Sequence, residues 1–173
     1  MMFKLIKNGT IIDGNGGEPL NGQAILIEGS TIKAIGKAEE IVNDISDVTV
    51  IDAKGGYVLP GFIDTHVHVM LRIKNTQTEL ETPFSIRFFE TVNHLKDTLE
   101  AGITSVRDAG YTDVGVKEAV ERGLVAGPRM QVSITPLTIT GGHSDSWMRS
   151  GIDITDVTYP TMPSGKCDGP EEV

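Results

Sequence analysis

Two hydrophobic periods divide the chain. From Phe3 to Leu59, short aliphatic and β-branched runs alternate with Gly and Asn/Asp, the signature of strands bounded by turns. Phe3 to Ile6 and Thr10 to Ile12 flank Asn8-Gly9, which predicts a hairpin with positive φ. Ala24 to Glu28 and Thr31 to Ile35 flank Gly29-Ser30 and predict a second hairpin. Val48 to Ile51 and Tyr57 to Leu59, split by Lys54-Gly55-Gly56, predict a third strand pair. Glu39 to Asn43 reads as a helical turn. A β module this small buries only about 60% of its unfolded surface, so it needs a partner surface.

Pro60-Gly61 ends that pattern, and strands then alternate with helices. Phe62 to Val69 reads as a strand that puts Asp64, His66 and His68 on one face by alternation. Pro83 to Ala101 carries Phe84, Phe88, Val92, Leu95 and Leu99 at spacings that lay one stripe along a helix, with Gly102 as its C′ residue. Ile103 to Arg107 is a buried-type strand. Asp113 caps a helix running to about Leu124, and Gly127-Pro128 leads into a strand from Arg129 to Ile134. This alternation predicts parallel βαβ units, hence an α/β fold: the first three βα units of a (β/α)8 TIM barrel, incomplete, over residues 60–173. Beyond Thr135 the chain is loop-like through Tyr159-Pro160, and Asp168-Gly169-Pro170 reads as a helix start with Asp168 as cap. Three strands leave an unsatisfied sheet edge, which predicts an N-terminal portion whose C-terminal remainder arrives as a second chain.

Composition narrows the partners. A formal net charge of −9 disfavours nucleic acid and anionic membrane. Cys167 is the only cysteine, so no disulfide closes within the chain and no Cys cluster holds a structural zinc. Lysines interrupt the start before an apolar run of signal-peptide length develops, and no window resembles a membrane span. These features predict a cytoplasmic protein.

His66-Val67-His68 carries the strongest chemical signal. Two imidazoles on one strand face can converge on a divalent ion at about 2.0–2.1 Å, each ring needing an acceptor for its other N–H. A solvent-facing pair is the alternative, but barrels place chemistry at the C-terminal ends of their strands, where this pair lies. The segment from Val58 to His68 resembles the opening metal motif of the amidohydrolase superfamily. Gly102 to Asp108, Gly127 to Met130 and Thr140 to Asp145 extend the likeness to the branch of imidazolonepropionase-like enzymes and Xaa-Pro dipeptidases.

The resemblance implies a small β-sandwich, with residues 1–59 as part of it and further strands from outside, ahead of a metal-bearing barrel. It implies two zinc ions, His66 and His68 as ligands of one, and a carboxylated Lys, two His and an Asp on later strands outside this chain. The implied activity is hydrolysis of C–N bonds (amide, peptide or cyclic amide) in a small-molecule or dipeptide substrate through a metal-bound hydroxide. The complete protein would be a homo-oligomer and this chain alone inactive. The alternative is a non-catalytic fragment or subunit that needs a complementing chain. His143, after two glycines, would by resemblance donate to the scissile carbonyl as a catalytic and substrate-binding residue; otherwise it is a loop histidine exposed to water.

Other residues keep two readings. Arg107 either binds a substrate carboxylate or forms an ion pair that orients the metal ligands. Trp147 and Met148 either form an apolar substrate wall or cover the core. Asp145 either orients His143 or caps a turn. Asp64 lies deeper than the histidines and reads as a structural hydrogen-bonding group. His94 reads as a surface or packing residue of its helix, and Cys167 as chemically quiet.

Overall fold

The computed structural model describes residues 2–43, 45–72, 75–154 and 162–173. It forms two compact units, Met1–Pro60 and Gly61–Val173. The Tyr159-Pro160 loop expected from sequence lies outside the described residues.

The first unit runs β1 (Phe3–Lys7), β2 (Thr10–Ile11), β3 (Ala24–Glu28), β4 (Thr31–Gly36), α1 (Ala38–Ile41), β5 (Val48–Asp52) and β6 (Tyr57–Val58). One sheet has the order β4-β3-β1-β5, and β2 pairs with β6 in another. The Gly29-Ser30 hairpin joins β3 to β4 as expected, with Gly29 at φ 62°. The Asn8-Gly9 hairpin and the third predicted strand pair do not form. β1 gives one edge to β3 antiparallel and the other to β5 parallel, so β2 cannot fold back onto it. Instead the turns after β1 and β5 run side by side: Ala53 N–H donates to the Lys7 carbonyl (2.9 Å) and Gly55 N–H to that of Asn8 (2.7 Å). They deliver β2 and β6 to each other in parallel. Gly9 allows this approach, since a Cβ there would lie 2.8 Å from the Ala53 Cβ. Leu5, Ala24 and Leu26 form the buried core, flanked by Phe3, Ile41 and Val48.

The second unit runs β7 (Phe62–Val67), α2 (Thr76–Glu81), α3 (Phe84–Glu100), β8 (Ile103–Asp108), α4 (Val114–Glu121) and β9 (Arg129–Val132). The sheet order is β7-β8-β9 and both pairings are parallel, so α3 and α4 are crossover helices of βαβ units. Gly102 closes α3 at φ 85°, its N–H donating to the Leu99 carbonyl (2.9 Å). The Asp113 carboxylate accepts from Gly115 N–H (2.7 Å) at the start of α4. Val69, Met70, Leu95, Val106, Val116 and Met130 form the core between sheet and helices. No helix among the described residues is long and apolar enough to cross a membrane.

Two expectations for this unit are corrected. Phe84, Phe88 and Leu95 of the expected stripe pack in the core, but the buried face of α3 also contains Arg87 and Thr91, whereas Val92 is 40% exposed. Arg87 can occupy a core-facing position because Glu79 of α2 pairs with it, while Arg72 reaches Glu79 (3.8 Å) and Glu90 (2.7 Å). Residues 170–172 form a turn, with Glu172 N–H on the Gly169 carbonyl (3.1 Å), but Asp168 does not cap it. The Asp168 carboxylate is already taken by the Thr140 amide (2.7 Å) and hydroxyl (2.6 Å).

Leu95 is fully buried between α3 and the sheet. Leu95→Ala is expected to cost about 2–5 kcal/mol through lost burial and the cavity left behind. Urea unfolding measures it; a change under about 1 kcal/mol would show that this contact does not hold α3 to the sheet.

Candidate metal centre

The ladder between β7 and β8 slips where the histidines begin. Asp64 faces Val106 and Val67 faces Asp108, so β7 spends one residue more than its partner, as a bulge does. The strand ends at Val67, leaving His68 just beyond it. Simple alternation therefore does not describe Asp64, His66 and His68. Asp64 turns back to accept the His66 N–H (3.1 Å), a structural role as expected. The bulge nevertheless brings the two rings together, edge to face, with centroids 5.1 Å apart. Two imidazoles bound to one ion at about 2.1 Å with a near-tetrahedral angle have centroids about 5 Å apart, so the spacing fits a shared ion.

His68 is held in one tautomer. Its Nδ1 lies 3.1 Å from the Gly110 carbonyl, which only accepts, so Nδ1 carries a proton and, in the neutral ring, the lone pair is on Nε2. Gly110 N–H donates to Asp108 Oδ1 (3.0 Å), and Asp108 Oδ2 receives Val69 N–H (2.8 Å) and the Thr112 hydroxyl (2.7 Å). Burial pushes the Asp108 carboxyl above the usual carboxylate range, while the Thr112, Val69 and Gly110 hydrogen bonds and the charge of His68 pull it back. The Thr112 oxygen also accepts from Met70 N–H (3.3 Å), and His94 Nδ1–H donates to the Val69 carbonyl (2.9 Å). His94 thus ties α3 to the loop after β7. The sequence reading passed over Asp108, Gly110 and Thr112; the available signal was a carboxylate ending a buried strand ahead of Ala-Gly-Tyr-Thr.

Arg107 is exposed, and its Nε donates to the Thr65 carbonyl (2.8 Å) across the bulge. Among the described residues it forms no ion pair, so that expectation is replaced by a backbone contact. With Gln131, Ser133 and Leu137 it lines an open cavity of about 460 Å³ at the ends of β8 and β9.

His143 and Trp147 lie in the loop beyond β9, both exposed. Trp147, Thr140, Gly141, Asp145 and Lys166 line another cavity of about 460 Å³. Asp145 caps this loop instead of orienting His143: it accepts from Gly141 N–H (2.8 Å) and Trp147 N–H (3.2 Å) and faces Lys166 (3.4 Å). Met148 is on the rim of exposure, and the Cys167 thiol meets the Glu172 carbonyl (3.3 Å). Among the described residues, no third His, Cys, Asp or Glu joins His66 and His68 in a metal-holding group.

The amidohydrolase family profile matches residues 57–172, a stretch that contains the His66–His68 pair and its supports. The chain belongs to the amidohydrolase family. It is 40% identical over 114 residues to a dihydroorotase of Bacillus subtilis (strain 168), covering 65% of this chain and 21% of that one. It is 48% identical over 71 residues to an enamidase of Eubacterium barkeri, covering 40% of this chain and 18% of that one. Among solved structures it is similar to a prolidase complexed with N-methylphosphonate-L-proline, at TM-score 0.83 and 31% identity, covering 99% of this chain and 42% of that one. It is also similar to a Xaa-Pro dipeptidase with methionine bound in its active site, at TM-score 0.70 and 27% identity, covering 87% and 38%. The chain spans about a fifth of the length of the curated dihydroorotases it matches.

The loop carrying His143 depends on charge. The Thr140 hydroxyl and amide hold Asp168 below the usual carboxylate range, and the Gly141 amide, followed by that of Trp147, does the same for Asp145. Because both carboxyls are more acidic in the folded loop than in the unfolded chain, their stabilisation is complete above the ordinary value and lost as pH falls through the folded ones. Emission of the sole tryptophan, Trp147, is expected to change below about pH 4, and Asp145→Asn to carry the low-pH spectrum up to neutral pH. A flat acid titration with a wild-type spectrum in the variant would rule this out.

Proposed function

We propose that this chain carries the first ligands of a metal-dependent hydrolase acting on amide-type bonds, in a dipeptide or a cyclic amide. The observation that carries the reading is the His66–His68 pair: rings 5.1 Å apart at the end of β7, with the His68 Nε2 lone pair freed by the Gly110 carbonyl. β7, β8 and β9 are then the first three strands of a (β/α)8 barrel over residues 60–173. Residues 1–59 are part of a β-sandwich, a reading supported by the exposure of Ile32, Val50 and Ile51 on its strands. The family and its named relatives support amide-type chemistry; the compartment we propose is the cytoplasm, and the further ligands come from the rest of the protein or a complementing chain.

His66 and His68 would hold one of two zinc ions. When bound, such ions lower the pKa of a water and polarise the carbonyl it attacks. The chain's own residues orient and bind. Neutral His66 and His68 each present one lone pair, and the exposed His143 imidazole donates to the scissile carbonyl as charge develops there. Arg107 keeps guanidinium N–H groups free of the Thr65 contact for a substrate carboxylate, and Trp147 offers an apolar wall.

Elemental analysis of the purified protein tests the pair. His66→Ala/His68→Ala is expected to lower zinc affinity more than about tenfold, since each lost ligand weakens the site. Full zinc stoichiometry in that variant would overturn the metal reading. A steady-state screen of Xaa-Pro dipeptides against cyclic amides identifies the substrate class. Turnover that appears only after a complementing chain is added would favour the subunit alternative.

A further inference from the structure

The most constrained charged group in the second unit is Asp108, which the chemistry above does not use. It is 1% exposed, and among the described residues no cationic side chain of Arg or Lys pairs with it. A buried carboxylate is tolerable only when donors surround it. Its donors come from both sides of His68. Val69, directly after His68 and 39 residues from Asp108, gives its N–H to Oδ2; Gly110, whose carbonyl meets the His68 ring, gives its N–H to Oδ1. The Thr112 hydroxyl completes the shell and, through its oxygen, takes Met70 N–H. Gly110 itself sits at φ 145°, where a Cβ would lie 2.7 Å from Pro136 Cδ, so its backbone is confined from the far side as well.

We infer that Asp108 is a positioning residue for His68: by fixing the backbone at Val69 and the carbonyl of Gly110 together, it holds the ring as the Nδ1–H tautomer with Nε2 presented for a ligand. This rests on the reading of His68 as a metal ligand. A purely structural Asp108 would lend stability to the turn without controlling where the His68 proton resides. In the inferred role the ring's proton and orientation follow the carboxylate, because the carbonyl that selects the tautomer belongs to the same residue whose amide Asp108 holds.

The test uses the full chain with 15N-labelled histidine, metal-free at about pH 8, where imidazole is neutral. Only four histidines are present, so substituting each in turn assigns the spectrum. In the wild type His68 is expected to show a protonated Nδ1 and an unprotonated Nε2. Asp108→Asn replaces one of two accepting oxygens by an NH2 group facing a donor, and His68 is expected to become a mixture of tautomers. Zinc affinity by competition with a chelator should fall about 10–100-fold, the usual effect of losing such a support. Should Asp108→Asn fail to fold, Thr112→Val removes one donor to the same oxygen and should shift the tautomer in the same direction, with Thr112→Ser restoring it.

Circular dichroism separates loss of fold from loss of position. Folded variants with an unshifted His68 tautomer and unchanged zinc affinity overturn the inference while leaving the metal reading intact. If zinc affinity of the wild type survives His66→Ala/His68→Ala, the metal reading fails and the ligand part of the inference falls with it.

Discussion

A carboxylate buried at the end of β8 ties together the loop after β7 and the turn after β8. Removing a charge from water costs several kcal/mol unless hydrogen bonds replace its hydration. Asp108 recovers that cost only if Val69, Gly110 and Thr112 bring their donors to it at once. The loop after β7 and the turn after β8 are therefore not independent: neither can move without stranding a buried charge. α3 joins the same arrangement through His94, which fastens the Val69 carbonyl while Asp108 fastens its amide. The β7 bulge survives in this setting because Arg107 satisfies the Thr65 carbonyl that the slipped ladder frees.

The second unit solves the same electrostatic problem in two ways. Asp108 is satisfied by uncharged donors, which fix direction and so suit a group that must aim something else. Arg72, Glu79, Arg87 and Glu90 are paired by charge with one another. Such a cluster returns about what its desolvation costs, so its consequence is arrangement more than stability. It lets α3 turn a charged residue inward while Ile86, Phe89 and Val92 stay substantially exposed.

That inversion shows where sequence reasoning ran out. Local signals named the elements well: Gly102 stops α3, Asp113 starts α4, and strand-helix alternation yields the parallel β7-β8-β9 sheet. Partners were another matter. Asn8-Gly9 does turn the chain, with Asn8 at φ 60°, yet whether a turn closes a hairpin depends on who occupies the next edge, and β5, some forty residues on, takes it. The stripe on α3 reaches the core at Phe84, Phe88 and Leu95, but hydrophobicity leaves Arg87 out of it, counting it as a surface residue unless Glu79 is known to meet it. Asp168 looked like a cap because its competing partner, Thr140, lies 28 residues away. The histidine pair was legible as a motif, and family membership followed from it; its supporting carboxylate was not, since Asp108 acts on His68 through a turn that only the folded backbone brings near.

The distribution of support around the pair has a functional consequence. Two histidines alone bind an ion weakly, and immobilising a free side chain at the moment of binding costs about 0.5–1.5 kcal/mol. For His68 that cost is met on folding, because Gly110, Asp108, Thr112 and His94 all lie in the same unit and meet before any further ligand is needed. His66 shares in it indirectly, through the edge contact between the rings and the Asp64 carboxylate that takes its amide. In the proposed metal site the work is thus divided unequally: the first βα units would supply the orientation of His68, and later ligands would add donors to it.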